Sequence, residues 1–329
     1  MPTVSVIIPV YNQERFIAES VQSALSQTFK DLEVVVVDDG STDKTPYILE
    51  SFGNQIKSIR LKKNKGAPVA LNTGIRNASG TYLSWLSGDD LLLPEKLETQ
   101  IRFFRDNPQM QFVGSDFYFI DADGNVLSEC QLPRYQSKQE LFYNLLCKNF
   151  FDSEGLFERK CIEKTGYFDE SMPYLADYDM SFRMAKHFTF GHIRKPLYKY
   201  RWYPENFSHH YWNTLRCFYR LYRKVFETYD IREFFPEGFP LDEAYLEAAQ
   251  LMLDRKIYSV ALTNIVRRLG VKALDKKAMD ILFPCLLNLP KQMLIQFISS
   301  SVPLRQERWL EQKYYGMRKF LRLRKQAAR

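Results

Sequence analysis

The sequence has few of the features that would cross-link a small fold or anchor it in a bilayer. Its five cysteines are widely spaced and form no Cys-x-x-Cys pair, which argues against a zinc site and fits buried thiols in a reducing compartment. No apolar run reaches the roughly 20 residues that span a bilayer, because the most apolar stretch, 278–304, is interrupted by Pro284, Pro290 and Lys291. The N-terminus lacks a basic segment, so it is expected to be a strand and not a signal peptide.

Excess positive charge is missing from most of the chain. The net charge of +7 comes from the last 17 residues, which hold seven basic and no acidic side chains, while the other 312 carry 39 of each sign. The body of the chain is therefore not expected to bind nucleic acid. On a helix, Leu310, Tyr314, Met317 and Leu321 would form an apolar stripe beside basic residues. Segment 310–329 is predicted either to lie on an anionic membrane surface or to be a solvated end.

Strand and helix patterns alternate through the first 120 residues. The β-branched runs at 4–8 and 32–37 are typical of buried strands, and apolar residues at helical spacing follow them. This alternation predicts an α/β fold, with a Rossmann-like, mostly parallel sheet flanked by helices. Strand patterns stop after about residue 207, so we expect one domain over 1–210 and a C-terminal helical extension over 211–329.

Two acidic turns follow strands of this predicted sheet. Asp38-Asp39-Gly40-Ser41 follows the second strand, and Ser87-Gly88-Asp89-Asp90 follows a strand pattern at 81–86. Ligands of parallel sheets bind outside the carboxyl ends of strands. A divalent cation offsets repulsion between adjacent carboxylates and can hold a diphosphate. We therefore expect a nucleotide-diphosphate site, although the first turn alone is better explained as a connection in which Ser41 or Thr42 caps a helix.

A third acidic segment, Asp121 to Asn125, follows a long strand pattern. Its sequence partly matches a calcium-binding loop, but the downstream ligands of such a loop are missing. The dipeptide Asp123-Gly124 is typical of a tight turn. A hairpin turn is therefore predicted here in preference to a calcium site.

The order and spacing of these motifs resemble those of the family 2 glycosyltransferases. Five segments spread over about residues 3–205 carry the resemblance, and they are Val4–Asn12, Leu25–Phe29, Asn64–Gly66, Ala70–Gly74 and Gly80–Asp90. The resemblance implies a GT-A-type fold and an enzyme that takes its sugar from a nucleotide-sugar donor. A dehydrogenase is not expected, because no Gly-x-Gly-x-x-Gly follows the first strand.

The resemblance also implies which residues hold the nucleotide. Pro9, Tyr11 and Asp39 would hold its base, and Lys65 would contact a phosphate. Two of these positions have a second explanation that the residues alone leave open. Tyr11 could simply cover the strand edge, and Lys65 could be a solvated surface lysine.

A metal site is implied at the second acidic turn. Asp89 takes the metal-binding position of the family's Asp-x-Asp motif, and Ser87 replaces the first carboxylate. A hydroxyl at position 87 can still hydrogen-bond a ribose or a metal-bound water. Oxygen ligands of this kind favour Mg²⁺ or Mn²⁺ over zinc.

The implied general base is Asp177, at the start of a predicted helix. Ala176 replaces the glutamate that usually precedes it in the family, and Asp179 is the alternate base. Without the resemblance, a carboxylate here is explained as a helix N-cap. Tyr203 stands where the family often has a histidine, and His209 and His210 come later in the chain.

These assignments imply an inverting, metal-dependent transferase. Its donor would be a nucleotide-diphosphate sugar, first of all a UDP-sugar, and its acceptor a glycan or lipid-linked hydroxyl in cell-surface polysaccharide biosynthesis. Such an enzyme would be cytoplasmic or held peripherally at the inner face of the membrane. Two alternatives remain: a non-catalytic nucleotide-sugar-binding module, because Ser87 and Ala176 depart from the family pattern, and a sugar nucleotidyltransferase, although Val10–Glu14 lacks a basic triphosphate loop.

Overall fold

A computed structural model describes residues 1–133, 135, 137–147, 155–203, 211–255, 257–269 and 275–288. Its strands are β1 (Val4–Val10), β2 (Leu32–Asp38), β3 (Lys57–Arg60), β4 (Tyr82–Trp85), β5 (Leu91–Leu92), β6 (Phe112–Ile120), β7 (Val126–Cys130), β8 (Leu156–Glu158) and β9 (Phe190–Arg201). These described strands form one sheet in the order β3-β2-β1-β4-β8-β6-β9-β5, with β7 on β6. The predicted basic helix at 310–329, His209 and His210 lie outside the described residues.

The parallel part of the sheet is built from the N-terminal strands. β1 pairs with β2 on one side and β4 on the other, with Val4 opposite Leu32 and Tyr82, and β2 pairs with β3. The central residues of β1 and β2 are almost all buried, as expected for strands covered on both faces. The predicted α/β fold class is confirmed in this half of the sheet.

Antiparallel pairs enter the sheet with β8. β8 lies antiparallel to both β4 and β6, and β5 lies antiparallel to β9. β6 and β7 form a hairpin whose turn is closed by Asp121, because its Oδ1 accepts hydrogen bonds from the backbone N–H groups of Asp123 and Asn125 at 2.9 Å. The prediction of a turn at this segment is confirmed.

Helices flank the sheet. The described ones are α1 (Ile17–Leu25), α2 (Thr45–Glu50), α3 (Ala67–Asn77), α4 (Lys96–Asp106), α5 (Lys138–Cys147), α6 (Arg159–Thr165), α7 (Ala176–His187), α8 (Tyr211–Thr228), α9 (Leu241–Asp254), α10 (Tyr258–Leu269) and α11 (Lys276–Asn288). Side chains from α1 and α4 share one core with β1, β2 and β6. On the other face α3 approaches β1 so closely that a Cβ on Gly74 would lie 2.3 Å from Cγ2 of Ile7.

The cap predicted for α2 is wrong. The helix begins at Thr45, not directly after Ser41 or Thr42, and the side chain of the residue before it, Lys44, makes no cap hydrogen bond. The first helical N–H, that of Thr45, donates instead to Asp43 Oδ1 at 3.0 Å. Ser41 is turned toward the preceding loop, where its Oγ accepts a hydrogen bond from the backbone N–H of Asn12 at 2.9 Å. Thr45 Oγ1 accepts from the N–H of Gln13 at 3.0 Å, so both hydroxyls hold the loop that follows β1.

Contacts between residues divide the chain into two compact units, Met1–Leu221 and Tyr222–Arg329. The division falls inside α8, and the first unit contains the whole sheet. In the second unit, α10 packs against α9 and α11. Within the described ranges, no helix combines the length and the apolar content needed to cross a bilayer.

Candidate active site

The two acidic turns lie on either side of the end of β1. The backbone N–H of Asp39 donates to the carbonyl of Val10 at 2.8 Å, and the N–H of Leu86 donates to the carbonyl of Ile7 at 2.9 Å. These bonds extend the pairing of β1 with its two parallel neighbours. They place Asp39 and the turn at 87–90 at the same edge of the sheet, which is where a doubly wound sheet binds its ligand.

The side chain of Asp39 holds the loop that leads into α3. Its Oδ1 accepts from the N–H of Lys65 at 2.9 Å and its Oδ2 from the N–H of Gly66 at 2.7 Å. Asp39 is buried, and loss of hydration raises its pKa in spite of these two bonds. Each carboxylate oxygen keeps a further lone-pair site, so Asp39 can also accept a hydrogen bond from a bound base.

Gly40 allows this loop to lie against the turn. Its φ of +76° is in the left-handed region, and a Cβ at this position would lie 2.6 Å from the backbone carbon of Lys63. A side chain is therefore excluded both by conformation and by space. We call residues 39–40 and 63–66 together the nucleotide turn.

The other residues predicted to contact the nucleotide surround the end of β1. Pro9 is half-buried within the strand, Tyr11 is 42% exposed just beyond it, and the Lys65 side chain is exposed. Ser87 is half-buried, and its carbonyl accepts a hydrogen bond from Ser20 Oγ at 3.0 Å. The structure thus brings Tyr11 and the Asp39–Lys65 contact to one sheet edge, and leaves the Lys65 side chain in solvent.

Asp89 is buried and held by a tyrosine. It is 7% exposed, and its Oδ2 accepts a hydrogen bond from the hydroxyl of Tyr203 at 2.8 Å. Burial is the largest influence on this carboxyl and raises its pKa, while the bond from Tyr203 acts in the opposite direction. Tyr203 packs on Phe16, with 5.0 Å between ring centroids.

Arg201 fixes the backbone of the same turn. It is 1% exposed, its Nε donates to the carbonyl of Asp89 at 2.7 Å, and its backbone N–H donates to Asp90 Oδ1 at 2.7 Å. Its NH2 group pairs with Glu19 at 2.9 Å, and its guanidinium lies 4.7 Å from the centroid of the Phe16 ring. One carboxylate oxygen of Asp90 is therefore directed toward the backbone of β9.

Oxygen atoms around Asp89 fit a divalent cation. Gln13 hydrogen-bonds the Asp89 carboxylate, and its buried Oε1 has no hydrogen-bond partner in the described structure. A Cβ on Gly88 would lie 2.2 Å from that Oε1, so the glycine makes room for the amide. Among the described residues no three His, Cys, Asp or Glu side chains converge on a metal position. A site with one carboxylate suits Mg²⁺ or Mn²⁺ that is also bound by phosphate oxygens.

The two candidate bases on α7 have different surroundings. Asp179 is 3% exposed and pairs with Nε of Arg183 at 2.8 Å. The same guanidinium donates to the carbonyls of Thr165 at 2.6 Å and Tyr167 at 3.0 Å. Asp177 lies in the first turn of the helix and is only half-buried. Asp179 thus holds the chain before α7, and Asp177 is the more exposed of the two carboxylates.

Sequence patterns gave no role to three side chains that shape this site. Gln13 and Arg201 contact Asp89, and Arg183 holds Asp179. Arg201 ends β9, whose other charged residues are not buried, so the strand gives no local signal that this arginine is buried and needs partners. Nothing in the local sequence distinguishes Gln13 from a surface glutamine.

The fold and the edge of the sheet define a GT-A-type glycosyltransferase. The sequence model described as Glycosyl transferase family 2 matches residues 5–166. An uncharacterised glycosyltransferase of Methanocaldococcus jannaschii is 32% identical over 213 residues, which are 61% of this chain and 71% of that protein. The chain belongs to the family 2 glycosyltransferases, as the motifs predicted.

Other relatives match over less of their own length. An uncharacterised glycosyltransferase of Rickettsia typhi is 40% identical over 190 residues, 56% of this chain and 59% of that protein. The chondroitin synthase of Escherichia coli is 35% identical over 210 residues, 63% of this chain but 30% of that protein. The alignment with the Rickettsia relative thus spans little more than half of that protein.

Two solved structures share the fold. S. aureus TarS 1–349 in complex with UDP-GlcNAc has a TM-score of 0.59 at 19% identity, covering 89% of this chain and 84% of that one. The mannosyltransferase PcManGT from Pyrobaculum calidifontis, in complex with GDP-Man and Mn²⁺, has a TM-score of 0.57 at 20% identity, covering 88% and 81%. At these identities the likeness shows the fold, and both proteins were solved with a nucleotide-sugar.

Proposed function

We propose that this chain is a metal-dependent, inverting glycosyltransferase that moves a sugar from a nucleotide-diphosphate donor, first of all a UDP-sugar, to a hydroxyl. The observation that carries the proposal is the pair of acidic turns beside the end of β1. In the first turn, Asp39 holds the loop at 63–66 through the N–H groups of Lys65 and Gly66. In the second, the Asp89 carboxylate lies beside the hydroxyl of Tyr203. The UDP-GlcNAc and GDP-Man complexes of two structural neighbours support it.

The nucleotide turn receives the base of the donor in this proposal. Pro9, Tyr11 and Asp39 contact the base, with Asp39 accepting a hydrogen bond through a lone pair that the loop does not use. Lys65 reaches a phosphate, and Ser87 bonds the ribose. A divalent cation held by Asp89 would neutralise charge on the diphosphate leaving group.

Asp177 acts as the general base. The acceptor oxygen bonds to the anomeric carbon while the bond from that carbon to the diphosphate breaks, and the proton of the acceptor hydroxyl passes to Asp177. Attack from the face opposite the leaving group inverts the configuration. For this step the Asp177 carboxylate must come within hydrogen-bond reach of the acceptor hydroxyl.

The acceptor proposed is a glycan or a lipid-linked glycan of a cell-surface polysaccharide. The name of the Escherichia coli relative, chondroitin synthase, supports a glycan acceptor. Residues 1–210 would be the catalytic domain and 211–329 a helical region whose basic end, 310–329, holds the enzyme peripherally at the cytoplasmic face of a membrane. That basic end lies outside the described residues.

A thermal-shift screen of UDP-, GDP- and dTDP-sugars, each with and without Mn²⁺, tests the proposal. The proposal expects one nucleotide series to raise the Tm, more so with Mn²⁺, and expects Asp89→Asn to abolish the contribution of the cation. Release of sugar from the stabilising donor then separates an enzyme from a binding module. No stabilisation by any of the three series would refute the nucleotide-sugar site.

A further inference from the structure

A buried asparagine on α3 holds the segment that leads into α7. Asn72 is 1% exposed. Its Nδ2 donates to the carbonyl of Phe168 at 3.0 Å and to Oε1 of Glu170 at 2.9 Å, and its Oδ1 accepts from the N–H of Phe168 at 2.9 Å. An amide side chain can make about four hydrogen bonds, so Asn72 directs most of its capacity to this one segment.

Residues 165–175, which we call the base-leading segment, are also held from other sides. The ring of Phe168 lies edge-on to Trp85, with 5.1 Å between centroids. The guanidinium of Arg76 lies 4.6 Å from the centroid of the Tyr167 ring, and Arg183 bonds the carbonyls at 165–167. The segment is thus fixed to α3, β4 and α7 before it reaches Asp177.

The helix that carries Asn72 begins at the nucleotide turn. Gly66, whose N–H donates to Asp39, is the residue just before α3. A Cβ on Gly66 would lie 3.9 Å from Cβ of Pro173, so the nucleotide turn and the base-leading segment meet there as well. One rigid helix therefore connects the two halves of the proposed site.

We infer that Asn72 is a positioning residue for Asp177, which it holds in register with the nucleotide turn through the base-leading segment. The inference rests on the proposed function, because Asp177 is the general base only there. Without the Asn72 amide, the buried N–H and carbonyl of Phe168 lose their partners and the segment shifts. A displacement of about 1 Å at the reacting groups can lower a rate by about a hundredfold.

The nucleotide turn does not depend on the Asn72 side chain. Asp39 bonds the backbone of Lys65 and Gly66 directly, so loss of Asn72 leaves these contacts in place. Loss of the Asn72 side chain is therefore expected to lower kcat and to leave nucleotide affinity unchanged. A general loss of folding would instead lower both.

The test compares Asn72→Ala and Asn72→Asp with Glu170→Ala in the full chain. Asn72→Asp keeps an acceptor for the N–H of Phe168 but loses both donors. Glu170→Ala removes a half-exposed carboxylate that Asn72 contacts at 2.9 Å and Arg76 at 4.0 Å. Because Glu170 is not buried, this variant is expected to fold even if the Asn72 variants do not. Asn77→Ala, at an exposed position of the same helix, and Val21→Ala, in the core on α1, are the controls.

The readouts are the Tm, the Kd of UDP by calorimetry, and kcat for sugar release from UDP-GlcNAc or GDP-mannose with Mn²⁺. We expect Asn72→Ala to lower kcat about tenfold to a hundredfold with the Kd of UDP within about twofold of wild type. Glu170→Ala is expected to lower kcat by a smaller factor. Val21→Ala is expected to lower the Tm and leave kcat per folded molecule unchanged.

Two results would overturn the inference. One is an Asn72→Ala enzyme that keeps the wild-type kcat, and the other is a parallel loss of kcat and UDP affinity. If Asn72→Ala does not fold, Glu170→Ala becomes the deciding variant. An unchanged kcat in Glu170→Ala would then overturn the inference. A wild-type chain that binds no nucleotide refutes instead the proposed function, so the two failures are distinguishable.

Discussion

The hydroxyl of Tyr203 lies 2.8 Å from Oδ2 of Asp89, which links the end of β9 to the turn after β4 across 114 positions of sequence. A phenol in this place supplies one neutral donor to a buried carboxylate. It also adds an oxygen beside the position proposed for a cation. The pair therefore ties the orientation of Asp89 to the C-terminal end of the sheet.

Tyr203→Phe is expected to weaken binding of UDP in the presence of Mn²⁺ by about tenfold, because groups that orient a metal-binding carboxylate are worth about 10–100-fold in metal affinity. Calorimetric titration of UDP with and without Mn²⁺ measures the change. Trp202→Phe, at the exposed neighbouring position, is the control and should bind as wild type does. An unchanged effect of Mn²⁺ in Tyr203→Phe would contradict the link between Tyr203 and the cation site.

Asp177→Asn is expected to lower kcat by at least about a hundredfold, since a general base contributes about 10²–10⁴ in rate. The Kd of UDP should not change. Asp179→Asn should instead lower the Tm, because it leaves the buried side of Arg183 without its ion-pair partner. Sugar-release kinetics and thermal unfolding of the two variants check this division of roles, and full activity of Asp177→Asn would exclude it as the base.

Gly40→Ala is expected to reduce stability and nucleotide binding together. A left-handed backbone alone costs an alanine about 1–2 kcal/mol, and the Cβ would in addition collide with the backbone of Lys63. Gly124→Ala is a matched control, because Gly124 has φ of +89° but open space around its Cβ position. Denaturant unfolding should show a larger loss for Gly40→Ala, and only that variant should lose UDP affinity.

Glu33 gives a pH dependence of stability. Burial raises the pKa of Glu33, but hydrogen bonds from Ser5 and Ser79 outweigh this effect and bring the pKa below the usual value for a glutamate. A carboxyl whose pKa is lower in the folded state contributes stability above its unfolded pKa, and that contribution is lost as the pH falls through the folded pKa. The free energy of unfolding of wild type should therefore exceed that of Glu33→Gln at about pH 6, and the difference should shrink toward about pH 3.

Denaturant titrations of both proteins across this range measure the effect. Glu50→Gln, at an exposed position at the end of α2, is the control and should follow wild type at each pH. A difference between wild type and Glu33→Gln that stayed constant with pH would show that the carboxylate charge is not the source of the stabilisation.

The chain that ends at Gln312 is expected to lose binding to anionic liposomes that the full chain retains. Residues 313–329 hold seven basic side chains, and each such residue near an anionic surface contributes about 1 kcal/mol. Flotation with vesicles containing phosphatidylserine measures binding, with neutral vesicles and about 0.5 M salt as controls. Equal flotation of both chains would show that this segment is not the membrane contact.

Much of the fold and part of the site could be predicted from the sequence, because they depend on local patterns. Buried β-branched runs marked β1 and β2, and the rule that ligands bind at strand carboxyl ends placed Asp39 and Asp89 at one edge. The family motifs pointed to the same turns. These signals lie within a few residues of the groups they predict.

What could not be predicted depends on pairing between distant positions. The antiparallel β8 enters between β4 and β6, and no local pattern sets the direction of a three-residue strand. Ser41 or Thr42 was expected to cap α2, but the Ser41 hydroxyl accepts from the N–H of Asn12, because a hydroxyl pairs with whichever donor the tertiary structure brings close. The contacts of Asn72 with Phe168 join residues 96 positions apart.

Arg201 has a consequence for the construction of hybrid enzymes. One guanidinium contacts the carbonyl of Asp89, the carboxylate of Glu19 and, at 2.9 Å, the carbonyl of Ala122 in the β6–β7 hairpin. Segments exchanged with a relative to alter specificity would therefore have to bring these partners from the same parent. A crossover that separates position 201 from positions 19, 89 and 122 would leave a desolvated cation facing groups selected for a different neighbour.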